Sequence, residues 1–208
     1  MISQHILAGG VAGLIEVSLT HPLDCMKVKL QQRNQIKVGH LYRGILSRYT
    51  SVFPMRSILW STRKKGKDYF KNYNIFQQGS LIGSGAGFLQ TFVDAPLENI
   101  KIQKIHNNKV TISPKRLIQG FVPNMFRNIV LCSGIITGSL INSNIGLIAG
   151  TAVGSILSQP FDYIKTVKQT GIKPNYKHLM RGWQYRVIIS PINMFLGYHV
   201  YRLIMKNF

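Results

Sequence analysis

The sequence has few acidic residues and few cysteines. Six Asp and Glu stand against 26 Lys and Arg, which gives a formal net charge of +20. This imbalance is atypical of a soluble enzyme and predicts an anionic partner such as phospholipid, nucleic acid or an acidic metabolite. Cys25 and Cys132 are too few for a disulfide-stapled secreted domain, and the six histidines lack a metal-ligand spacing. We therefore expect no metal site, no cofactor and no catalytic centre.

Charge is absent from long stretches of the chain. Residues Ile75–Val93 and Asn128–Phe161 carry no charged side chain, and each stretch is long enough to cross a membrane as a helix. The second stretch exceeds one membrane span, so we expect a break at Asn142-Ser143-Asn144. Further candidate spans make six in total: Ile6–Leu19, Ser47–Trp60 and Val187–Leu203.

Several of these candidate spans are polar, and the mean hydropathy of the chain is only +0.07. Ionisable groups within membrane helices normally face the bundle interior or a hydrated cavity, which predicts that position for Glu16, Arg48, Arg56 and Arg127. Composition alone also allows a basic soluble protein with apolar core helices. Met1–Gln4 lacks the basic segment of a cleavable signal peptide.

A repeat distinguishes these two classes. The segments Pro22–Lys27, Pro96–Lys101 and Pro160–Lys165 share the pattern Pro, any residue, acid, two residues, Lys, and they contain half of the acidic residues of the chain. Each copy follows glycines spaced four apart, such as Gly83 and Gly87, which let membrane helices approach closely.

The three copies of this signature resemble the mitochondrial carrier family. Tyr42-Arg43-Gly44, Gln119-Gly120 and Arg181-Gly182 occupy the positions of the family's motif before each even-numbered helix. The resemblance implies an all-α membrane protein with six transmembrane helices, arranged as three two-helix repeats with pseudo-threefold symmetry around a central cavity. The repeats cover about 1–70, 75–141 and 145–208, and they are shorter than those of the family.

The resemblance also assigns a matrix gate. Asp24 pairs with Lys101, Glu98 with Lys165 and Asp162 with Lys27, each across two repeats. The implied helix kinks lie at Pro22, Pro96 and Pro160, since a proline removes a helical hydrogen bond. Gln31 and Gln169 brace the gate, and Gly44, Gly120 and Gly182 bind anionic lipid, especially cardiolipin.

The opposite gate departs from the family pattern. The family places acids near the ends of the even-numbered helices, whereas this sequence has Lys64, Ser139 and Arg202 there. Repulsion among Lys64, Lys67 and Arg202 opposes closure. The sequence therefore predicts a resting state that is open toward the cytoplasm.

Substrate contacts are implied on the even-numbered helices, seven to eight residues after the motif glycine. They are Ser51 in the first repeat and Arg127 and Asn128 in the second, while the third repeat offers Ile188 or Ile189. Arg127 is the strongest anchor for an anion because a guanidinium at mid-membrane depth is costly without a role. The cationic side chains of Arg48, Arg56 and Arg186 add positive potential. Glu16 either faces the cavity and pairs with Arg56 or Arg127, or lies at a helix interface.

These features predict transport of a small anionic metabolite, a carboxylate or a nucleotide, by alternating access across the mitochondrial inner membrane. The alternative is a homologue with weak or lost transport that acts as a binding or structural membrane protein. We expect a monomer that does not bind nucleic acid, and a soluble DNA-binding protein is the remaining class. The sequence contains no Gly-rich nucleotide loop, His-Glu-x-x-His motif or Gly-x-Ser-x-Gly motif, so we expect no enzymatic activity.

Overall fold

The computed structural model describes residues 2–31, 42, 45–105, 118–170, 179–180 and 183–207. Regular secondary structure within these ranges is helical. The helices are α1 (Ile2–Gln31), α2 (Ile45–Tyr69), α3 (Ile75–Ile105), α4 (Phe121–Leu140), α5 (Asn144–Thr170) and α6 (Trp183–Lys206).

The turn between α4 and α5 lies where the sequence predicts a break. Helix α4 ends at Leu140 and α5 begins at Asn144. Asn142 has a φ of 54°, and Asn tolerates this left-handed conformation better than most residues because its short polar side chain bonds locally. The predicted division of Asn128–Phe161 into two helices is therefore confirmed.

Each odd-numbered helix contains its signature proline. Pro22, Pro96 and Pro160 lie inside α1, α3 and α5, and each helix continues for nine or ten residues beyond the proline. A helix kink at these prolines stays a prediction.

The six described helices form a closed ring. Each helix packs against its neighbours in sequence, and α6 returns to pack against α1. This closed order gives the helices a common interior.

Glycines bring α3, α4 and α5 into close contact. A Cβ atom at Gly83 would collide with the backbone of Ser133 in α4, and one at Gly87 would collide with the backbone of Asn128 and Ile129. The predicted close approach of helices along this glycine face is therefore confirmed.

Many polar side chains lie inside the bundle, and many large apolar side chains lie outside. In α1, Glu16 and Thr20 are buried, whereas Leu7 and Leu19 are more than half exposed. The same arrangement recurs in the other helices. Buried polar residues include Thr91, Asp94, Asn124, Asn128, Thr151 and Ser155, and exposed apolar residues include Phe76, Phe92, Val122, Ile145, Leu157 and Ile188. So many exposed large apolar side chains are unusual on the surface of a soluble protein.

Among the described residues, one helical segment, Arg186–Lys206, is long and apolar enough to cross a membrane by length and composition alone. Polar and charged residues lower the hydropathy of the other helices.

Candidate functional site

Six charged side chains from four helices meet in the interior. We call them the charge cluster: Asp94 and Glu98 of α3, Arg127 of α4, Asp162 and Lys165 of α5, and Arg186 of α6. With three carboxylates and three cations, the cluster has no formal net charge.

Arg127 contacts all three carboxylates of the cluster. Its Nη2 lies 2.8 Å from Asp94 Oδ2, while its Nη1 lies 3.1 Å from Asp162 Oδ1 and 3.8 Å from Glu98 Oε2. The planar guanidinium suits such multiple contacts because its N–H donors point in fixed directions. Arg127 is therefore ion-paired in the structure, with the signature acids Glu98 and Asp162 and with Asp94.

Asp94 is the functional candidate that the sequence analysis missed. Its side chain is buried and accepts hydrogen bonds from Asn124 Nδ2 at 3.0 Å and Asn128 Nδ2 at 3.4 Å, besides the contact with Arg127. The available signal was its position, since Asp94 ends the uncharged stretch and precedes Pro96 by two residues.

Asn128, a predicted substrate contact, lies beside Arg127 and is fully buried. Its Oδ1 accepts from Arg127 Nη2 at 2.8 Å, and its Nδ2 donates to Thr91 Oγ1 at 3.2 Å. Ser51, another predicted contact, donates to the Arg48 carbonyl oxygen at 2.9 Å within its own helix. Ile188 is 62% exposed, so it does not face the interior.

The structure brings Glu98 and Lys165 together, as the resemblance predicts. Lys165 is buried, and its Nζ donates to Glu98 Oε2 and lies 3.8 Å from Asp162 Oδ1. Asp162 also lies 3.3 Å from Arg186 Nη1, which donates to Gln159 Oε1 at 3.2 Å. The gating role of these pairs stays a prediction.

Several other predicted positions lie outside what the structure describes. The side chains of Asp24, Lys27, Lys101, Gln31 and Gln169 and the residues Gly44 and Gly182 belong to this group. Gly120 is described: it precedes α4 with a φ of 79°, a conformation that glycine adopts without steric cost.

A second ion pair joins α1 and α2. Arg56 donates from Nε to Glu16 Oε2 at 2.9 Å and from Nη2 to Glu16 Oε1 at 2.5 Å. This two-point geometry is the strongest form of an arginine–carboxylate contact. Of the two partners proposed for Glu16, the structure places Arg56 against it.

Aromatic side chains pack together near the end of the bundle where α1 begins and α6 ends. We call Trp60, Tyr198 and Tyr201 the aromatic plug; all three are buried. Trp60 stacks on Tyr201 with ring centroids 4.9 Å apart and lies 5.4 Å from Tyr198. The three rings belong to an apolar cluster to which all six helices contribute and which includes Ala12, Leu59, Ile82, Ile136, Leu147 and Met194.

Arg63 links the aromatic plug to α4 through two hydrogen bonds. Its Nε donates to Ser139 Oγ at 2.7 Å, and its Nη2 donates to the Ser139 carbonyl oxygen at 2.9 Å. The guanidinium also lies 5.7 Å from the Tyr198 ring centroid, within the range of cation–π attraction. At Ser139, where the family has an acid, a hydroxyl and a carbonyl thus serve as acceptors.

The predicted resting state, open toward the cytoplasm, stays a prediction. The sequence predicts an open mouth because positions 64, 139 and 202 hold no acid, and in the structure buried aromatic rings and the Arg63–Ser139 contact join α2, α4 and α6 at this end. Aromatic stacking and the Arg63–Ser139 contact replace a ring of ion pairs. Lys64 instead lies 3.4 Å from Asp68 in its own helix, with both side chains exposed.

Metal binding finds no support in the described part of the chain, where no group of three or more His, Cys, Asp or Glu side chains is arranged to hold an ion.

Comparison with known proteins adds an independent line of evidence. The model of the family described as mitochondrial carrier protein matches residues 1–40. A probable mitochondrial 2-oxodicarboxylate carrier of Schizosaccharomyces pombe is 31% identical over an alignment that covers 88% of this chain and 79% of the relative. The chain belongs to the mitochondrial carrier family.

Two further relatives agree with this membership. A mitochondrial dicarboxylate carrier of Caenorhabditis elegans is 22% identical, with 91% of this chain and 84% of the relative covered. Mitochondrial substrate carrier family protein X of Dictyostelium discoideum is 26% identical, with coverages of 84% and 75%. All three alignments cover at least three quarters of the relative.

Proposed function

We propose that this carrier spans the mitochondrial inner membrane with all six helices, in a pseudo-threefold arrangement around a central substrate pathway. The closed ring of helices and the polar interior surrounded by exposed apolar side chains support this arrangement. The named relatives are carriers rather than enzymes, and they are mitochondrial.

The substrate is a small dicarboxylate. Two of the relatives are named as carriers of dicarboxylates or 2-oxodicarboxylates, and the observation in this chain that carries the proposal is the interior Arg127, with Asn128 beside it. A guanidinium binds a carboxylate through two parallel hydrogen bonds. An inactive, purely structural homologue receives no support from these relatives.

Arg127 couples the substrate to the matrix gate. Because Arg127 contacts Asp162 and Glu98, a substrate carboxylate that binds the guanidinium weakens its hold on these gate acids. A ligand shifts a conformational equilibrium only by binding one state more tightly, and this competition provides that difference. Pairing of Asp24 with Lys101 and of Asp162 with Lys27 completes the gate, with braces at Gln31 and Gln169 and hinges at the signature prolines.

Lipid and oligomeric state complete the proposal. Gly44, Gly120 and Gly182 precede α2, α4 and α6, where the backbone N–H groups of a helix N-terminus attract lipid phosphate. The carrier acts as a monomer, since one closed ring of six helices already encloses a pathway.

Uptake by proteoliposomes tests the proposed function. The purified protein is reconstituted with internal 2-oxoglutarate, and uptake of labelled dicarboxylates, ATP and neutral amino acids is compared. We expect uptake of dicarboxylates alone, loss of uptake in Arg127→Ala, and strong impairment in Arg127→Lys, which keeps the charge but loses the two-point contact. Asp68→Asn, which changes an exposed charge far from the cluster, serves as the control. Nucleotide uptake, or full activity of Arg127→Ala, would contradict the proposal.

A further inference from the structure

Asp94 and the proposed substrate carboxylate bind the same cation, Arg127. Of the three carboxylates around Arg127, Asp94 makes the shortest contact, 2.8 Å against 3.1 Å for Asp162 and 3.8 Å for Glu98. We propose that Asp94 is a tethered competitor, which occupies the Arg127 guanidinium in the empty carrier and thereby sets how weakly a dicarboxylate binds. This inference rests on the proposed function.

The partners of the three acids show that Asp94 is the acid that depends most on Arg127. Asp162 keeps contacts with Lys165 and Arg186, and Glu98 keeps Lys165, when either leaves Arg127. The other described hydrogen-bond partners of Asp94 are the neutral amides of Asn124 and Asn128. Asp94 therefore has no second ion pair among the described residues, and releasing Arg127 to a substrate carboxylate costs Asp94 more than it costs the other two acids.

The charge balance of the cluster indicates the same competition between Asp94 and a substrate carboxylate for Arg127. Because its three carboxylates balance its three cations, a dicarboxylate enters a site that has no surplus positive charge. Like charges a few ångströms apart repel strongly in a partly buried site. A bound dicarboxylate must therefore compete with a carboxylate that is already there, and its affinity depends on that carboxylate.

The surroundings of Asn124 allow Arg127 to replace Asp94 by another acceptor. Asn124 is completely buried, and its Oδ1 has no hydrogen-bond partner among the described residues. A buried acceptor without a donor is costly, and the Asn124 oxygen offers a new acceptor to the N–H groups of Arg127 once Asp94 has moved.

Substitution of Asp94 by Asn tests the inference directly. Asp94→Asn keeps the size and one acceptor oxygen but removes the charge, so we expect 2-oxoglutarate to bind about tenfold more tightly, measured from ligand-dependent thermal stabilisation in detergent. Asp68→Asn removes the same charge from an exposed position and is expected to leave affinity unchanged. Weaker binding in Asp94→Asn than in this control would overturn the inference, because Asp94 would then be a substrate contact.

A second measurement does not depend on the substrate. Phenylglyoxal modifies accessible guanidinium groups, and peptide mass spectrometry locates the adduct. We expect faster modification of Arg127 in Asp94→Asn than in wild type and in Asp68→Asn; equal rates would refute the tethered contact. Asp94→Ser provides a second variant if Asp94→Asn does not yield a monodisperse protein. Absence of dicarboxylate binding in every variant would instead contradict the proposed function, while the modification rates still decide the role of Asp94.

Discussion

Lys165 and Glu98 form a pair in which each partner depends on the other. The Lys165 side chain is 2% exposed and that of Glu98 is 26% exposed. Removing one partner of such a pair leaves the other charge desolvated, and this loss exceeds the net contribution of the intact pair.

We therefore predict strong coupling between these two residues. Glu98→Gln and Lys165→Met should each lower the free energy of unfolding by about 2–4 kcal/mol, and the double variant should lose less than the sum of the two, by at least about 1 kcal/mol. Thermal unfolding in detergent measures both effects. The exposed pair Lys64 and Asp68 provides the comparison, with an expected coupling below about 0.5 kcal/mol. Additive losses at Glu98 and Lys165 would show that the two do not interact in solution.

The contrast between Glu98 and Asp94 shows what sequence reasoning can reach at this scale. Glu98 and Lys165 belong to a motif that occurs three times, so their proximity follows from the repeat. Asp94 occurs in one repeat only, and its contact with Arg127 depends on which faces of α3 and α4 meet. A pattern of repeated residues carries no information about such a contact.

At the scale of elements, glycine determines how closely α3 can pack on α4. Gly83 faces the backbone of Ser133, whereas a Cβ atom at Gly85 would meet nothing within 4 Å. Both glycines lie in the same helix, two residues apart, so they differ in their surroundings rather than in helix propensity.

Alanine at these two positions should have opposite effects. Gly83→Ala should destabilise the protein by about 1–3 kcal/mol because the backbones of α3 and α4 must separate. Gly85→Ala should leave stability unchanged or raise it by up to about 1 kcal/mol, since alanine favours the helix. Melting temperatures of the purified variants give the comparison. Equal melting temperatures would show that α3 and α4 do not pack through Gly83.

The sequence predicts the helices better than it predicts the aromatic contacts at the end of the bundle. Uncharged stretches and the polar break at Asn142 suffice to place α4 and α5. The aromatic plug draws Trp60 from α2 and its tyrosines from α6, which are distant in sequence and belong to no repeated motif. The expectation of an open mouth followed from missing acids, and it could not include stacking between remote helices.

The whole molecule combines the aromatic plug at one end with a neutral charge cluster in its interior. The reactivity of Cys132 measures how tightly this end is packed, because Cys132 is 2% exposed and belongs to the same apolar cluster as the aromatic plug. Its Sγ donates to Gln90 Oε1 at 3.2 Å. A thiol in this position reacts with a reagent in water only when the bundle opens.

We predict that the native thiol of Cys132 is protected in the resting carrier. In a Cys25→Ser background, a membrane-impermeant methanethiosulfonate reagent should label Cys132 slowly. Trp60→Ala removes a large ring from the aromatic plug, and Arg63→Ala removes its link to Ser139. Because truncation of a buried Trp costs about 3–5 kcal/mol of packing, the labelling rate should rise by more than about tenfold in Trp60→Ala.

Tyr69→Ala removes an aromatic ring that is 82% exposed near the same end and should leave the rate unchanged. Rapid labelling of the unmodified plug would show that this mouth stands open at rest, as repulsion among Lys64, Lys67 and Arg202 alone would require.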